Sequence, residues 1–192
     1  MPDPNSAALD FLETRRSRPP KTLKGPVPSR DELRRLLTIG ARAPDHGKLE
    51  PWRFLVLEKA ALTRLAGTVP AAGERLGIEP EKIDKAAAQF GDADLAVVVV
   101  ASPRASDKIP AIEQTLSAGA VCMQLLNAAL AAGWGAGWLT GWASHDPEWR
   151  EQTLGLMPHE WIAGIVYIGT ETSAPPERPR PDMDAITEWL EA

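Results

Sequence analysis

One stretch organises the chain, Arg42-Ala-Pro-Asp-His-Gly-Lys-Leu-Glu-Pro-Trp-Arg-Phe54. A helix with periodic apolar residues runs into Pro44, and the strand-like run 54–57 begins just after Pro51-Trp52. The short loop between them carries an imidazole, a lysine and carboxylates, and its prolines stiffen the backbone. Loops of this kind, placed on a rigid scaffold, often present polar groups to a ligand. The alternative is a helix stop followed by a surface turn, because Pro, Asp and Gly punctuate loops generally.

Length and composition are those of a folded protein with one domain, residues 1–192. Charged residues make up 24% and hydrophobic residues 44% of the chain, which is ordinary for a globular domain. The formal net charge of −5 gives no electrostatic reason to expect a nucleic-acid partner. The longest apolar run, 95–101, is too short for a membrane span.

The N-terminal residues and the cysteine content predict a cytoplasmic protein. The first residues lack the basic segment and apolar core of a secretion signal. The single cysteine, Cys122, cannot form an internal disulfide, and its apolar helical surroundings predict a packing role.

Outside the central loop, hydrophobic periodicity predicts alternating helices and strands. The predicted helices are 5–14, 29–43 with a Ser29/Glu32 capping box, 59–66, 80–90, 111–132 and 147–154, with a possible helix at 184–190. The predicted strands are 53–57, 95–101 and 161–168, together with a short strand that ends in a turn within 134–142. The segment 67–79 is predicted to be irregular. This alternation favours a three-layer α/β or α+β domain.

Several segments carry groups suited to an anionic or planar ligand. Arg15-Arg16-Ser17 follows the first helix and offers guanidinium groups and a hydroxyl to a phosphate. Arg178 and Arg180 lie in a proline-rich tail and form a second candidate. Trp138-Leu139-Thr140 offers flat apolar surface and a hydroxyl. Each also has a structural interpretation, as a solvated charge cluster or a core strand with a turn.

Common catalytic motifs are missing from the chain. There is no P-loop, no Gly-x-Gly-x-x-Gly fingerprint and no nucleophile elbow. The three histidines (His46, His145 and His159) lack the spacing of metal ligands. Hydrolase and metalloenzyme interpretations are therefore disfavoured, and we predict no metal site and no catalytic side chain.

Taken in order, the motifs resemble the FMN-dependent nitroreductase family, especially its short bacterial NAD(P)H nitroreductase branch. The resemblance rests on Arg15-Arg16-Ser17, Arg42-Ala-Pro-Asp-His46, Pro51-Trp-Arg-Phe54, Gly137-Trp-Leu-Thr-Gly141 and Tyr167-Ile-Gly-Thr170 before an arginine-bearing tail. It implies an α+β three-layer fold, in which helices flank a central, mostly antiparallel sheet and the C-terminal tail reaches the partner subunit. It also implies a homodimer that shares two FMN sites between its subunits.

The same resemblance implies residue roles. Arg15, Arg16 and Ser17 would hold the FMN phosphate and ribityl chain from one subunit, while Arg42 and His46 would come from the other. Trp138, Leu139 and Thr140 would lie along the flavin. Arg180, with Arg178 as its rival, would contact the phosphate. A further segment would bind the nicotinamide nucleotide, and its residues are Ala128, Ala129, Leu130, Ala131, Ala132 and Gly133.

The implied activity is a two-step exchange in which NADH or NADPH reduces FMN and an electron-poor acceptor then oxidises it. The acceptor would be a nitroaromatic, a quinone or an activated alkene, and the flavin would carry the chemistry. Alternatives are another reaction on the same fold (dehalogenation, flavin breakdown or ring oxidation) or a flavin-binding protein without turnover. The loop departs from the wider family, where a serine and an amide commonly follow the proline. Whether His46 or Lys48 faces the flavin's polar edge stays open.

Overall fold

The computed structural model describes residues 3–190 as a sheet between two layers of helices. The helices are α1 (Ser6–Thr14), α2 (Arg30–Gly40), α3 (Lys59–Arg75), α4 (Pro80–Gly91), α5 (Ala111–Ala131), α6 (Trp142–His145), α7 (Pro147–Leu154) and α8 (Met183–Ile186). The strands are β1 (Leu23–Lys24), β2 (Trp52–Glu58), β3 (Leu95–Ala101), β4 (Gly135–Leu139) and β5 (Trp161–Glu171). Single 3-10 turns cover Pro20–Thr22 and His46–Lys48.

The sheet is antiparallel throughout. Its order is β1-β5-β3-β2, and β4 also pairs with β5. In the register, Val98 of β3 lies between Leu55 of β2 and Ile165 of β5, and Trp138 of β4 lies opposite Val166. The predicted α+β class with a central antiparallel sheet is confirmed.

Both faces of the sheet are covered, which explains why β3 is apolar along its whole length. Alternate residues of a strand point to opposite faces. Val98 and Val100 therefore pack in the cluster that contains α3, α4 and α7, and Val97 and Val99 pack in the cluster that contains α2 and α5. Every residue of β3 is buried, as expected for a strand between two helical layers.

The predicted helix starts at Ser29 and Asp146 are confirmed at the level of side-chain contacts. The Ser29 hydroxyl accepts a hydrogen bond from Glu32 N, and the Glu32 carboxylate accepts one from Ser29 N, which completes the capping box. The Ser29 hydroxyl also donates to Glu32 Oε2 at 2.7 Å, and this bond, together with the one from Ser29 N, lowers the pKa of Glu32. Asp146 accepts a hydrogen bond from Trp149 N at the start of α7.

The prediction that 67–79 is irregular is wrong for 67–75, because α3 continues to Arg75, and is confirmed for 76–79. The buried face formed by Leu62, Leu65 and Val69, which are fully buried, continues past Pro70 with the buried residues Ala72 and Gly73. Pro70 lies on the exposed face, where the hydrogen bond that proline removes is least needed. Burial of one helical face therefore outweighs the local preference of proline.

Smaller differences occur at β1 and near the chain's end. The sequence pattern did not indicate the two-residue strand β1, which pairs with Thr170 and Glu171 at the end of β5. Of the predicted tail helix 184–190, only 184–186 is helical, as part of α8. Residues 191 and 192, in the predicted tail, lie outside the described part of the chain.

Candidate functional site

The segment that follows α1 lies beside strand β4, so two of the predicted ligand segments are neighbours. Arg18 N donates a hydrogen bond to Ala136 O of β4 at 2.7 Å. A β-carbon at Gly137 would overlap the carbonyl oxygen of Arg18. Glycine is therefore required for this close approach, which brings Arg15–Ser17 next to 138–140.

The guanidinium of Arg16 is largely buried, and one of its nitrogen donors has no hydrogen-bond acceptor among residues 3–190. Its side chain is only 19% exposed, and Nη1 lies 3.8 Å from Glu177 Oε1. Among residues 3–190, no acceptor forms a hydrogen bond with this buried Nη1. A buried guanidinium nitrogen without an acceptor is unfavourable unless a further group completes its hydrogen bonding.

The tail brings a second arginine to the same place. Arg180 Nη2 lies 2.9 Å from Glu177 Oε1 and donates to Glu13 O, in the last turn of α1, at 3.3 Å. The C-terminal end of a helix favours cations. Arg178 takes part in no ion pair or hydrogen bond within the described residues, whereas Arg180 and Arg16 share Glu177. Of the two arginines in the tail, Arg180 is therefore the one that lies beside Arg16.

The three residues predicted to lie along a flavin differ in exposure. Trp138 is half-buried, and a β-carbon on Gly164 would overlap its indole ring. Leu139 is 37% exposed and Thr140 is exposed. Leu139 and Thr140, at the end of β4, therefore present the freer surface.

The central loop is held rigidly in an unusual conformation. Gly47, Lys48 and Glu50 have φ values of 73°, 54° and 47°, and such values are uncommon for residues other than glycine. The Asp45 carboxylate stabilises the turn by accepting hydrogen bonds from Leu49 N at 3.1 Å and Glu50 N at 2.9 Å. Asp45 is thus engaged with the backbone, while the side chains of His46 and Lys48 remain exposed.

Helix α5 anchors this loop through two residues one turn apart. His46 Nδ1 lies 2.6 Å from Glu113 Oε2. The Ser117 hydroxyl donates to Pro44 O at 2.6 Å and accepts a hydrogen bond from Trp52 Nε1 at 3.1 Å. Sequence reasoning missed both α5 residues. Glu113 resembles an ordinary acidic residue in a first helical turn, and its pairing spans 67 positions.

The predicted site residues form two groups within one chain. Arg15, Arg16, Ser17 and Arg180 lie with β4, whereas Arg42 and His46 are exposed on the loop beside the N-terminal half of α5. No hydrogen bond or ion pair joins these two groups among the described residues. A single chain therefore leaves the two groups unconnected.

An apolar stripe runs along the exposed side of α5. Ile112 is 61%, Leu116 65% and Met123 39% exposed, and Gly119 between them faces open space. The spacing of 4, 3 and 4 residues places these positions on one helical face. A row of exposed large apolar side chains on a helix whose opposite face is buried is typical of an interaction surface.

The predicted nicotinamide segment is only partly accessible. Ala128 and Ala129 are buried, whereas Ala131, Ala132 and Gly133 are exposed at the end of α5. Gly133 ends the helix with a φ of 85°, as predicted. A cavity of about 580 Å³ lies beside this end, between α1, α2 and α5. Any ligand here would contact the exposed end of the segment rather than all of it.

The described residues give no indication of a nucleophilic cysteine or of a metal site. Burial raises the pKa of the Cys122 thiol to about 12, so this residue is a protonated packing group at neutral pH. Within residues 3–190, no group of three His, Cys, Asp or Glu side chains could hold a metal ion. No helix in that range is long and apolar enough to cross a membrane.

Residues 12–170 match the Nitroreductase family, in agreement with the fold and with the order of the site segments. The chain belongs to the nitroreductase family. It is 35% identical over 163 residues to the provisionally named NAD(P)H nitroreductase YdjA of Escherichia coli strain K12, covering 85% of this chain and 87% of the relative. A Haemophilus influenzae relative with the same provisional name is 36% identical over 165 residues, covering 85% and 88%.

Solved structures show the same nitroreductase fold. A nitroreductase-like family protein from Bacillus cereus superimposes with a TM-score of 0.79 at 23% identity, covering all of both chains. A nitroreductase with bound FMN from Bacteroides fragilis gives a TM-score of 0.73 at 19% identity, covering 95% of this chain and 98% of that one. Nitroreductases are oxidoreductases, so family membership identifies this chain as an oxidoreductase. Both relatives are named NAD(P)H nitroreductases.

Proposed function

We propose that this nitroreductase binds FMN and uses NADH or NADPH to reduce small electron-poor acceptors, such as nitroaromatics or quinones, by ping-pong hydride transfer. FMN, when bound, supplies the chemistry by taking hydride from the nicotinamide nucleotide and passing it to the acceptor. The polypeptide supplies binding, orientation and electrostatics. The observation that carries this proposal is the buried Arg16 Nη1, which lacks an acceptor among residues 3–190.

The chemistry of the donor set fits a flavin nucleotide. Arg16 and Arg180 would hold the phosphate, because paired guanidinium groups bind phosphate oxygens through charge-assisted hydrogen bonds. Arg15 would add positive charge, and the exposed hydroxyl of Ser17 could reach the phosphate or ribityl oxygens. Leu139 and Thr140 would lie along the planar part of the ligand.

A complete site requires a second copy of the chain, so we propose a homodimer with two shared FMN sites. Arg42 and His46 would come from the partner copy, since among residues 3–190 no hydrogen bond or ion pair joins them to the Arg16 group. The apolar stripe of α5 would form the interface, and Gly119 at its middle would allow close approach of the partner. The exposed tail residues Met183, Ile186, Trp189 and Leu190 would reach the partner as well.

The exposed end of the segment 128–133 is our proposed place for the nicotinamide nucleotide. We also propose that the chain functions as a single domain in the cytoplasm. The exposed apolar side chain of Leu139 would suit a small planar acceptor.

The experiment that tests this function begins with the absorption spectrum of the purified protein after incubation with FMN and desalting. We expect retained flavin, bleaching on anaerobic addition of NADH or NADPH, and recovery on addition of a quinone or a nitroaromatic. A protein that retains no flavin contradicts the proposal. Flavin that is retained but not reduced by either nucleotide indicates a binding protein without turnover.

A further inference from the structure

The pair formed by His46 and Glu113 lies at the edge of the apolar stripe, where the loop meets α5. His46 Nδ1 and Glu113 Oε2 are 2.6 Å apart, and the two side chains are 61% and 43% exposed. A small cavity of about 270 Å³ adjoins the pair, and Leu116 and Ser117 are among the residues that line it. Because Leu116 belongs to the stripe as well, a partner that covers the stripe would also cover the imidazole.

Two independent contacts fix the loop that carries His46. Ser117 binds the backbone of Pro44, and its hydroxyl also accepts a hydrogen bond from Trp52. On the other side, Gly47 approaches Ile109, where an added β-carbon would lie 3.2 Å from Ile109 Cδ1. The backbone is therefore held without any contribution from Glu113, which leaves this carboxylate to act on the imidazole alone.

The other charged groups near the imidazole do not accept a hydrogen bond from it. Asp45 accepts hydrogen bonds from Leu49 N and Glu50 N. Lys48, on the loop, and Lys108, on the neighbouring segment, carry exposed positive charges and cannot accept a hydrogen bond from an imidazole. Glu113 is thus the carboxylate that fixes which ring nitrogen faces outward.

We propose that Glu113 is a positioning residue that accepts the Nδ1–H of His46 and turns Nε2 toward FMN bound between two copies of the chain. This proposal rests on the function proposed above and adds a residue to its site. A histidine presents one defined nitrogen to a ligand when the other nitrogen is held by a hydrogen bond. Holding the ring in advance also lowers the entropy lost on binding.

The first test is the FMN dissociation constant, measured by quenching of flavin fluorescence. We expect E113A and H46A each to weaken binding by about tenfold, as for the loss of a hydrogen bond to a charged group. The double variant should bind no more weakly than H46A, because Glu113 acts through His46. E113Q should stay within about threefold of wild type, since its amide oxygen can accept the same Nδ1–H.

Thr115→Ala is the matched control, because Thr115 is an exposed residue of α5 whose hydroxyl bonds only to Ala111 O of its own helix. It should bind FMN like the wild type. Wild-type affinity in E113A, or additive losses in the double variant, would overturn the positioning role while leaving the proposed FMN site intact. Failure of the wild type itself to bind FMN would instead overturn the proposed function.

The second test requires neither flavin nor activity. In ¹⁵N spectra of the ligand-free protein, at a pH where the ring is neutral, we expect the His46 proton on Nδ1 in the wild type and E113Q. In E113A the preference should shift toward Nε2. A wild-type proton on Nε2 would refute the proposal directly.

Discussion

Replacing Arg16 with methionine separates binding of FMN from stability of the fold. Methionine keeps a long apolar side chain but removes the guanidinium. In the ligand-free protein, Arg16 lies 3.8 Å from Glu177, beyond hydrogen-bonding distance, and its buried Nη1 has no acceptor among residues 3–190. The substitution therefore removes an unsatisfied buried donor. It also removes a long ion pair with the 68% exposed Glu177 side chain, which contributes little to stability.

Arg16→Met should leave the ligand-free protein as stable as the wild type or more stable, but it should weaken the binding of FMN. An unsatisfied buried polar group costs about 1–3 kcal/mol, so the free energy of unfolding of ligand-free Arg16→Met should equal or exceed that of the wild type. With FMN bound, the same nitrogen would donate to a phosphate oxygen, and hydrogen bonds to charged groups contribute about 1.5–3 kcal/mol. The dissociation constant of FMN should therefore rise by about 10- to 150-fold.

The assay combines urea unfolding of the ligand-free protein with FMN fluorescence titration. Arg30→Met is the control, because the Arg30 side chain is 88% exposed and pairs with Glu58, away from the proposed site. It should leave FMN affinity unchanged. The reasoning is refuted if Arg16→Met destabilises the ligand-free protein by more than about 1 kcal/mol, or if it binds FMN as tightly as the wild type.

Three further substitutions test separate parts of the structure. Gly137→Ala should force the chain at Arg18 away from β4, weakening FMN binding at least tenfold with a lower melting temperature; unchanged affinity would contradict the close approach. Leu116→Asp should shift the protein toward the monomer in analytical ultracentrifugation and reduce retained flavin, whereas a persistent dimer would exclude the α5 stripe as the interface. The hydrogen bonds from Arg53 lower the pKa of Glu160 from 4.5 to about 2, so the pair stabilises the fold at neutral pH and this contribution is lost as the pH falls from about 4.5 toward 2. Because the guanidinium is partly exposed to solvent, we expect the free energy of unfolding of the wild type to fall by about 2 kcal/mol more than that of Glu160→Gln over this pH range. Urea unfolding measures this difference, and parallel pH profiles of the two proteins would contradict it.

Local sequence patterns predicted the elements that depend on short-range chemistry. The Ser29/Glu32 capping box, the proline that opens α7 after Asp146 and the wholly apolar strand β3 all appear where the residues indicate them. Patterns of this kind work because caps and alternation act over a few residues. The family resemblance, which the match over residues 12–170 confirms, added the expectation of a flavin site.

The pattern failed where distant residues decide the outcome. Residues 67–75 are predicted from the sequence to be irregular, but they are helical because one face of α3 is buried against the sheet and α4. Strand β1 has two residues and forms because β5 offers an open edge. Neither the length of α3 nor the formation of β1 could be predicted from the pattern of a few neighbouring residues.

The sequence by itself determined the order of secondary structure, the apolar character of the core and the residue types available to bind an anion. Only the tertiary structure decided which of these residues meet. It brought Arg16 and Arg180 to the same carboxylate oxygen of Glu177, and it set Glu113 against His46 across 67 positions. The physical reason is that caps and periodicity act within a few residues, whereas contacts between distant side chains depend on how whole helices pack against the sheet.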